Sequence, residues 1–279
     1  MTTEGEWSDP SHNQQRRFLA ADEPAPFTVL NGDVEKPCLL ICDHASRRFP
    51  AAAGSLGLDP GTLRCHLAWD IGAGPVTEQL AERLNVTAVV ANYSRLVVDL
   101  NRDLMDPSAF LEFSDGVVVH GNRGLSDDDK AQRAADIYHP YHRAVDAELR
   151  RLNSNGLSPA FISIHSFTPV FNGKTRPWEI GILWDVDRPT AEIFIDGFRQ
   201  AGFNVGDNEP YSGKAPMDYT IDHHAEAAGI PHVGIEIRQD LIDHDAGVER
   251  LVDVLAGIVP RVTSFDVGNG NQPRISAPA

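Results

Sequence analysis

Three residues of this chain, His44, His165 and Glu236, combine types and positions suited to metal-assisted or acid–base chemistry. The apolar run CLLIC (38–42) stops at Asp43-His44-Ala45-Ser46, and FISI (161–164) stops at His165-Ser166. Two histidines leaving two strands of one sheet at the same end can converge. With a carboxylate they would make a three-ligand site that leaves one metal position open, the arrangement of catalytic zinc. No HExxH motif is present, so the spacing alone does not fix the ligand set. Glu236 lies inside HVGIEI (232–237). A carboxylate inside an apolar strand is costly unless it is paired or functional. It is either the salt-bridge partner of Arg238, two residues along the same face, or a general base tuned by burial and a nearby cation. Arg95 and Arg102 supply planar, bidentate donors for a substrate carboxylate, or else pair structurally with Asp99 or Asp103.

These residues need a scaffold that brings strand ends together. β-rich runs over 38–42, 86–91, 161–164, 180–184 and 232–237 alternate with helical spacing. The helical stretches run from Asp59-Pro60-Gly61 to about 84, then over 126–152, 189–201, 219–228 and 246–259. Ser126 with three following aspartates is a helix start, and Gly202 is a stop. The strands are nearly continuous apolar runs, as strands covered on both faces require. The alternation predicts an α/β fold, a three-layer α/β/α sandwich around a mostly parallel mixed sheet. In such sheets ligands sit outside the carboxyl ends of the strands, where the polar residues above lie. A single domain over 23–265 is expected, with a polar arm over 1–22 and a Gly/Pro/Asn/Ser tail over 266–279.

The formal net charge of the 279 residues is −16. That surface disfavours nucleic acid and anionic membrane as partners. An anionic substrate would need a local basic island, which gives weight to inward-placed arginines. No apolar run approaches the ~18 residues of a membrane span. The N-terminus is polar and acidic, unlike a signal peptide, so a cytoplasmic location is expected. The three cysteines, Cys38, Cys42 and Cys65, form no CxxC pair and read as small hydrophobes in a reducing compartment.

Nine segments in order, CDHASRRFP (42–50), HLAWDIGA (66–73), NYSRLVVDLNR (92–102), GNRGLS (121–126), YHPYH (138–142), SIHSF (163–167), GILWD (181–185), NEPYSG (208–213) and HVGIEIRQDL (232–241), resemble the N-formylglutamate amidohydrolase family. The resemblance spans residues 42 to about 240. It implies a phosphorylase/hydrolase-like fold, shared with zinc carboxypeptidases and aspartoacylase-like deacylases, and one zinc ion. It also implies His44 and His165 as metal ligands, Asn101-Arg102 as a substrate-binding pair, Arg95 as an additional arginine and Glu236 as general base. One departure stands out. Carboxypeptidase-like enzymes take a carboxylate ligand three residues after the first histidine, whereas His44 is followed by Ala45-Ser46-Arg47. Asp70 is the best replacement, and Asp43 the alternative.

The reaction implied is metal-dependent cleavage of N-formyl-L-glutamate, a small anionic substrate, into formate and glutamate. Glu236 would handle the proton, Arg95 the developing oxyanion, and Arg102 with Asn101 a substrate carboxylate. Arg238, Asn122 and Tyr211 are further substrate-binding candidates; Tyr211 lies on the 208–213 loop, which could close over the substrate. The rival readings are another N-acyl amino acid hydrolase or carboxypeptidase-like enzyme of the same fold, and a metal-free binding or scaffold protein. Composition sets no oligomeric state.

Overall fold

The structure is a computed structural model that describes residues 17–154, 158–214 and 218–263. The predicted tail and all of the predicted arm but residues 17–22 lie outside the described residues. In that remnant, the backbone amides of Phe18 and Leu19 donate to Asp136 Oδ2 at 2.6 and 3.0 Å.

A seven-stranded sheet forms the centre. Its strands are β1 (Phe27–Leu30), β2 (Cys38–Cys42), β3 (Thr87–Ala91), β4 (Ala160–Phe167), β5 (Ile180–Leu183), β6 (Val205–Asp207) and β7 (His232–Arg238). Their order is β1-β3-β2-β4-β7-β5-β6. The pairs β2/β3, β2/β4, β4/β7 and β5/β6 are parallel; β1/β3 and β5/β7 are antiparallel. Two short hairpins, Phe113–Ser114 with Val117–Val118 and Val170–Phe171 with Lys174–Thr175, stand outside the sheet.

Helices cover both faces. α1 (Ala73–Leu84), α4 (Arg188–Gln200) and α6 (Asp245–Thr263) pack on one side. α2 (Asp127–Arg133), α3 (His139–Asn153) and α5 (Tyr219–Ile221) lie on the other. A single π-helical turn, Ala134–Tyr138, joins α2 to α3, and another, Asp222–Glu226, extends α5. Alternate residues of β2 enter opposite cores. Cys38, Leu40 and Cys42 pack beneath α1 and α6, and Leu39 and Ile41 beneath α3, all essentially inaccessible. That two-sided burial is why the strand reads as an unbroken apolar run. The three-layer α/β/α architecture predicted from sequence is the one observed.

The stretch from Asp59 to Leu84 departs from expectation. It is no continuous helix: Thr62–Arg64 forms a 3-10 turn, and α1 starts only at Ala73. Gly72 stops the helix from extending backwards, because its φ of 81° lies in the left-handed region. A Cβ there would also sit 2.2 Å from the Ile242 carbonyl oxygen. The resulting turn puts Asp70 beside β2, where its amide donates to the His44 carbonyl at 2.9 Å. Gly72→Ala is therefore expected to cost at least ~2 kcal/mol, from strain and overlap together. A urea-unfolding midpoint equal to the parent's would contradict this.

Candidate active site

His44 follows β2, His165 lies in β4 and Glu236 in β7, so three parallel neighbours at the middle of the sheet deliver them. The register sets His165 directly opposite Glu236. With Asp70 these residues line a cavity of about 240 Å³, together with Arg95, Asn101, Arg102 and Tyr211. It opens at the carboxyl end of the strands, as the parallel topology requires.

The imidazoles are held from behind. His44 Nε2 donates to Asp99 Oδ1 at 2.7 Å, and His165 Nε2 lies 3.5 Å from Asp43 Oδ2. The Nδ1 atoms of both face one carboxylate oxygen, Asp70 Oδ2, at 3.4 Å from His44 and 2.8 Å from His165. A second hydrogen bond, from the Ser166 amide at 3.2 Å, fixes that oxygen. Asp43 is turned away from the shared centre, since Tyr141 donates to its Oδ1 at 2.6 Å. All of these side chains are buried.

The local charge density shifts the titrations. Burial opposes ionisation of Asp70, but His44 and His165 outweigh it and hold the carboxyl far below the usual carboxylate range. Burial likewise opposes ionisation of Asp99, and Arg95 and His44 overcome it. Burial disfavours a charged His165, yet Asp43 and Asp70 raise its pKa well above the ordinary imidazole value. Glu236 behaves differently. Burial pushes its carboxyl up to about 7, with His165 opposing and Asp70 and Asp218 adding. Its Oε2 is buried without a hydrogen-bond partner.

The residues present suit a metal ion. His44, Asp70 and His165 each offer one ligand atom, all within 4.8 Å of one another. His44 Nδ1 is buried and lacks any hydrogen-bond partner. A tetrahedral ion with bonds of ~2.0–2.1 Å needs ligand separations near ~3.3 Å. The observed 3.4 and 2.8 Å contacts to Asp70 bracket that value. Asp99 and Asp43 lie behind the rings, the position from which outer carboxylates orient imidazoles in metal sites.

Arg95 is a structural partner and a cavity residue together. It donates through Nη2 and Nε to Asp99 Oδ2, at 2.7 and 3.1 Å, and approaches Asp70 Oδ1 at 3.5 Å. The segment carrying Asn101 and Arg102 is clamped by the opposite helical layer. His142 donates to the Leu100 carbonyl at 3.0 Å and Tyr138 to the Arg102 carbonyl at 2.9 Å, while the Thr220 amide donates to Asn101 Oδ1 at 2.9 Å. Tyr138 projects from the π turn, a local insertion that recurs at functional sites.

Two candidates lie elsewhere. Arg238 neither pairs with Glu236 nor lines this cavity; its guanidinium binds Asp240 and the carbonyls of Pro177 and Trp178. Asn122 is 1% exposed and structural, donating to the Leu96 and Leu111 carbonyls and accepting from Arg133. Sequence reading missed Asp218, a buried carboxylate on the cavity wall that caps α5 by accepting from the Ile221 amide. A lone aspartate ahead of a tyrosine gave no signal of its placement. It also did not foresee Asp99 as the partner of His44, because the contact joins residues 55 apart in sequence.

A mostly parallel α/β/α sandwich thus carries two histidines, a carboxylate between them and a buried glutamate at its strand ends. The profile of the N-formylglutamate amidohydrolase family matches residues 36–243, and the chain belongs to that family. It is 27% identical over 159 residues to N-formylglutamate deformylase of Pseudomonas aeruginosa, a match spanning 52% of this chain and 59% of that relative. The crystal structure of gene product Atu2144 from Agrobacterium tumefaciens is similar with a TM-score of 0.86 and 34% identity, over 89% of this chain and 99% of that one. The structure of N-formylglutamate amidohydrolase from Ralstonia eutropha JMP134 shares the fold at a TM-score of 0.65 and 19% identity, over 88% of this chain and 99% of that one.

Proposed function

We propose that the protein is a metal-dependent amidohydrolase, most simply a zinc enzyme, that cleaves N-formyl-L-glutamate to formate and L-glutamate. The observation that carries this reading is the set of His44, Asp70 and His165 around one centre, with Glu236 beside it in register with His165. His44 Nδ1, His165 Nδ1 and Asp70 Oδ2 would hold the ion. When bound there, it supplies Lewis-acid polarisation of the amide carbonyl and lowers the pKa of a water.

The chain's own groups account for the remainder. Glu236, buried beside the centre and opposite His165, is placed to take a proton from the attacking water and return it to the departing nitrogen. The water oxygen joins the formyl carbon as the C–N bond breaks, and the free amine leaves with that proton. Arg95 faces the charge that develops on the formyl oxygen, held in place beforehand by Asp99. Asn101 and Arg102 bind the α-carboxylate and align the amide, and the clamped segment behind them limits their motion. Tyr211 and Ser212 form the far wall of the cavity. The three cysteines are unpaired, which supports the reducing cytoplasm as the compartment. Among the described residues no helix is long and apolar enough to cross a membrane.

The test is metal content together with formate release. The purified protein is expected to carry one equivalent of zinc per chain, to lose activity on chelation and to regain it on zinc addition. Chelator-resistant formate release would overturn the metal assignment. Metal without deformylation, but with hydrolysis of another N-acyl amino acid, would replace the substrate. A protein that neither holds nor takes up metal and shows no turnover would be a scaffold.

A further inference from the structure

N-formyl-L-glutamate carries two carboxylates, and the site as described assigns a binder to only one. The cations nearby are already engaged to different degrees. Arg95 is paired with Asp99 and Asp70 and is already assigned to the formyl oxygen, and Arg238 is paired with Asp240. Arg176 is a different case. It is half-buried and stacks on Phe171 and Tyr211, with its Cζ 4.7 Å from each ring centre, and on Phe167 at 5.8 Å. Its guanidinium donates to Tyr211 Oη at 2.9 Å, and among the described residues it forms no ion pair with any carboxylate. A guanidinium stacked on aromatic faces is held in place by cation–π attraction to the rings. It remains a strong bidentate receptor for an anion.

Arg176 itself lines neither the catalytic cavity nor the chamber next to it, and it meets that chamber through its aromatic partners. Beside the catalytic cavity lies a second chamber of about 190 Å³ that shares Asp70, Arg95, Arg102, Ser166 and Tyr211 with the first. All three rings that carry Arg176 line this second chamber. On its wall, His66 is held below the ordinary imidazole pKa, chiefly by burial. Asp115 opposes the shift, and the positive charges of Arg176 and Arg95 add to it.

We propose that Arg176, steadied by Tyr211, recognises the distal carboxylate of the substrate and is the residue that makes the enzyme prefer acidic N-formyl amino acids. The assignment rests on the deformylase reading above and specifies which side chain that reaction accepts. Asn101 and Arg102 keep the α-carboxylate, and the second chamber receives the side chain.

The test compares N-formyl-L-glutamate with N-formyl-L-glutamine, which has the same shape and α-carboxylate but no distal charge. Parent enzyme loaded with zinc is expected to favour the glutamate compound. Arg176→Met is expected to raise KM for it about 10- to 100-fold, the loss of one charge-assisted contact, with kcat little changed. KM for the glutamine compound should stay as in the parent, so the preference collapses. Arg176→Lys should recover part of it. If Arg176→Met melts early, Arg176→Gln provides the same comparison in a side chain that keeps a hydrogen-bond donor. An unchanged preference in these variants, or an equal loss on both compounds, overturns the inference while leaving the deformylase reading intact. Failure of the parent to cleave either compound overturns that reading, and the inference with it.

Discussion

Glu236→Gln is expected to slow release of formate about 10²- to 10⁴-fold, the range for loss of a positioned general base, while the variant keeps its full equivalent of metal. The separation of effects is the informative part. Glu236 lies opposite His165 but is not among the three residues that form the candidate metal centre. Glutamine keeps the shape beside Gly181, where a Cβ on the glycine would fall 3.2 Å from that of Glu236. Near-parental turnover would remove Glu236 from the chemistry. The same substitution should stabilise the metal-free protein at alkaline pH. A carboxyl whose folded pKa is raised binds its proton more tightly folded than unfolded. Its burden is therefore absent below the ordinary value of 4.5, grows as pH rises and is complete above about 7. That interval corresponds to a ceiling of roughly 3 kcal/mol. Urea unfolding of chelated parent and variant should diverge from pH 5 to pH 8 and coincide near pH 4; equal midpoints at pH 8 would contradict the buried, partnerless state of the carboxyl.

Asp70→Ala should abolish metal retention and turnover together. Even outer contacts of a metal site cost about 10- to 100-fold in affinity when removed. Loss of a direct ligand is expected to cost on the order of 10³-fold or more, leaving the purified variant with under ~0.1 equivalent of zinc. Asp43→Asn provides the contrast. Asp43 sits behind His165 and is anchored by Tyr141, so its substitution should weaken zinc only by the smaller factor. Competition against a chromogenic chelator reads both. If Asp43→Asn emerged metal-free and Asp70→Ala fully loaded, the two carboxylates would have to exchange roles.

Much of this molecule is legible in its sequence, and the limits have physical causes. The predicted strand over 38–42 coincides with β2, and the runs at 161 and 232 fall within β4 and β7, because each is central and apolar on both faces. The short edge strands β1 (FTVL) and β6 (VGD) went unnoticed, since a few residues packed on one side leave little pattern. The helix expected from Asp59 fails at Gly72, whose backbone conformation no periodicity reveals. At the site, strand ends pointed to His44, His165 and Glu236. The partners Asp99 and Asp218 depend on tertiary packing between distant segments. Alternation places Arg238 on the face of Glu236, but as the last residue of β7 it turns to Asp240 where the strand ends.

The strand order also governs when this site can come into existence during folding. His44, His165 and Glu236 come from β2, β4 and β7, neighbours in space but separated by 121 and 71 residues along the chain (165 − 44 and 236 − 165). Parallel pairing across such loops pays its closure entropy before any contact rewards it, so these ladders form slowly. No local fragment holds both histidines at metal-binding distance. On the proposed metal assignment, tight zinc capture would report completion of the central sheet, and a fluorescent zinc indicator in a refolding experiment should lag behind the far-ultraviolet signal of the helices. A nascent chain that has not yet paired β2 with β4 offers the ion only scattered, weak ligands.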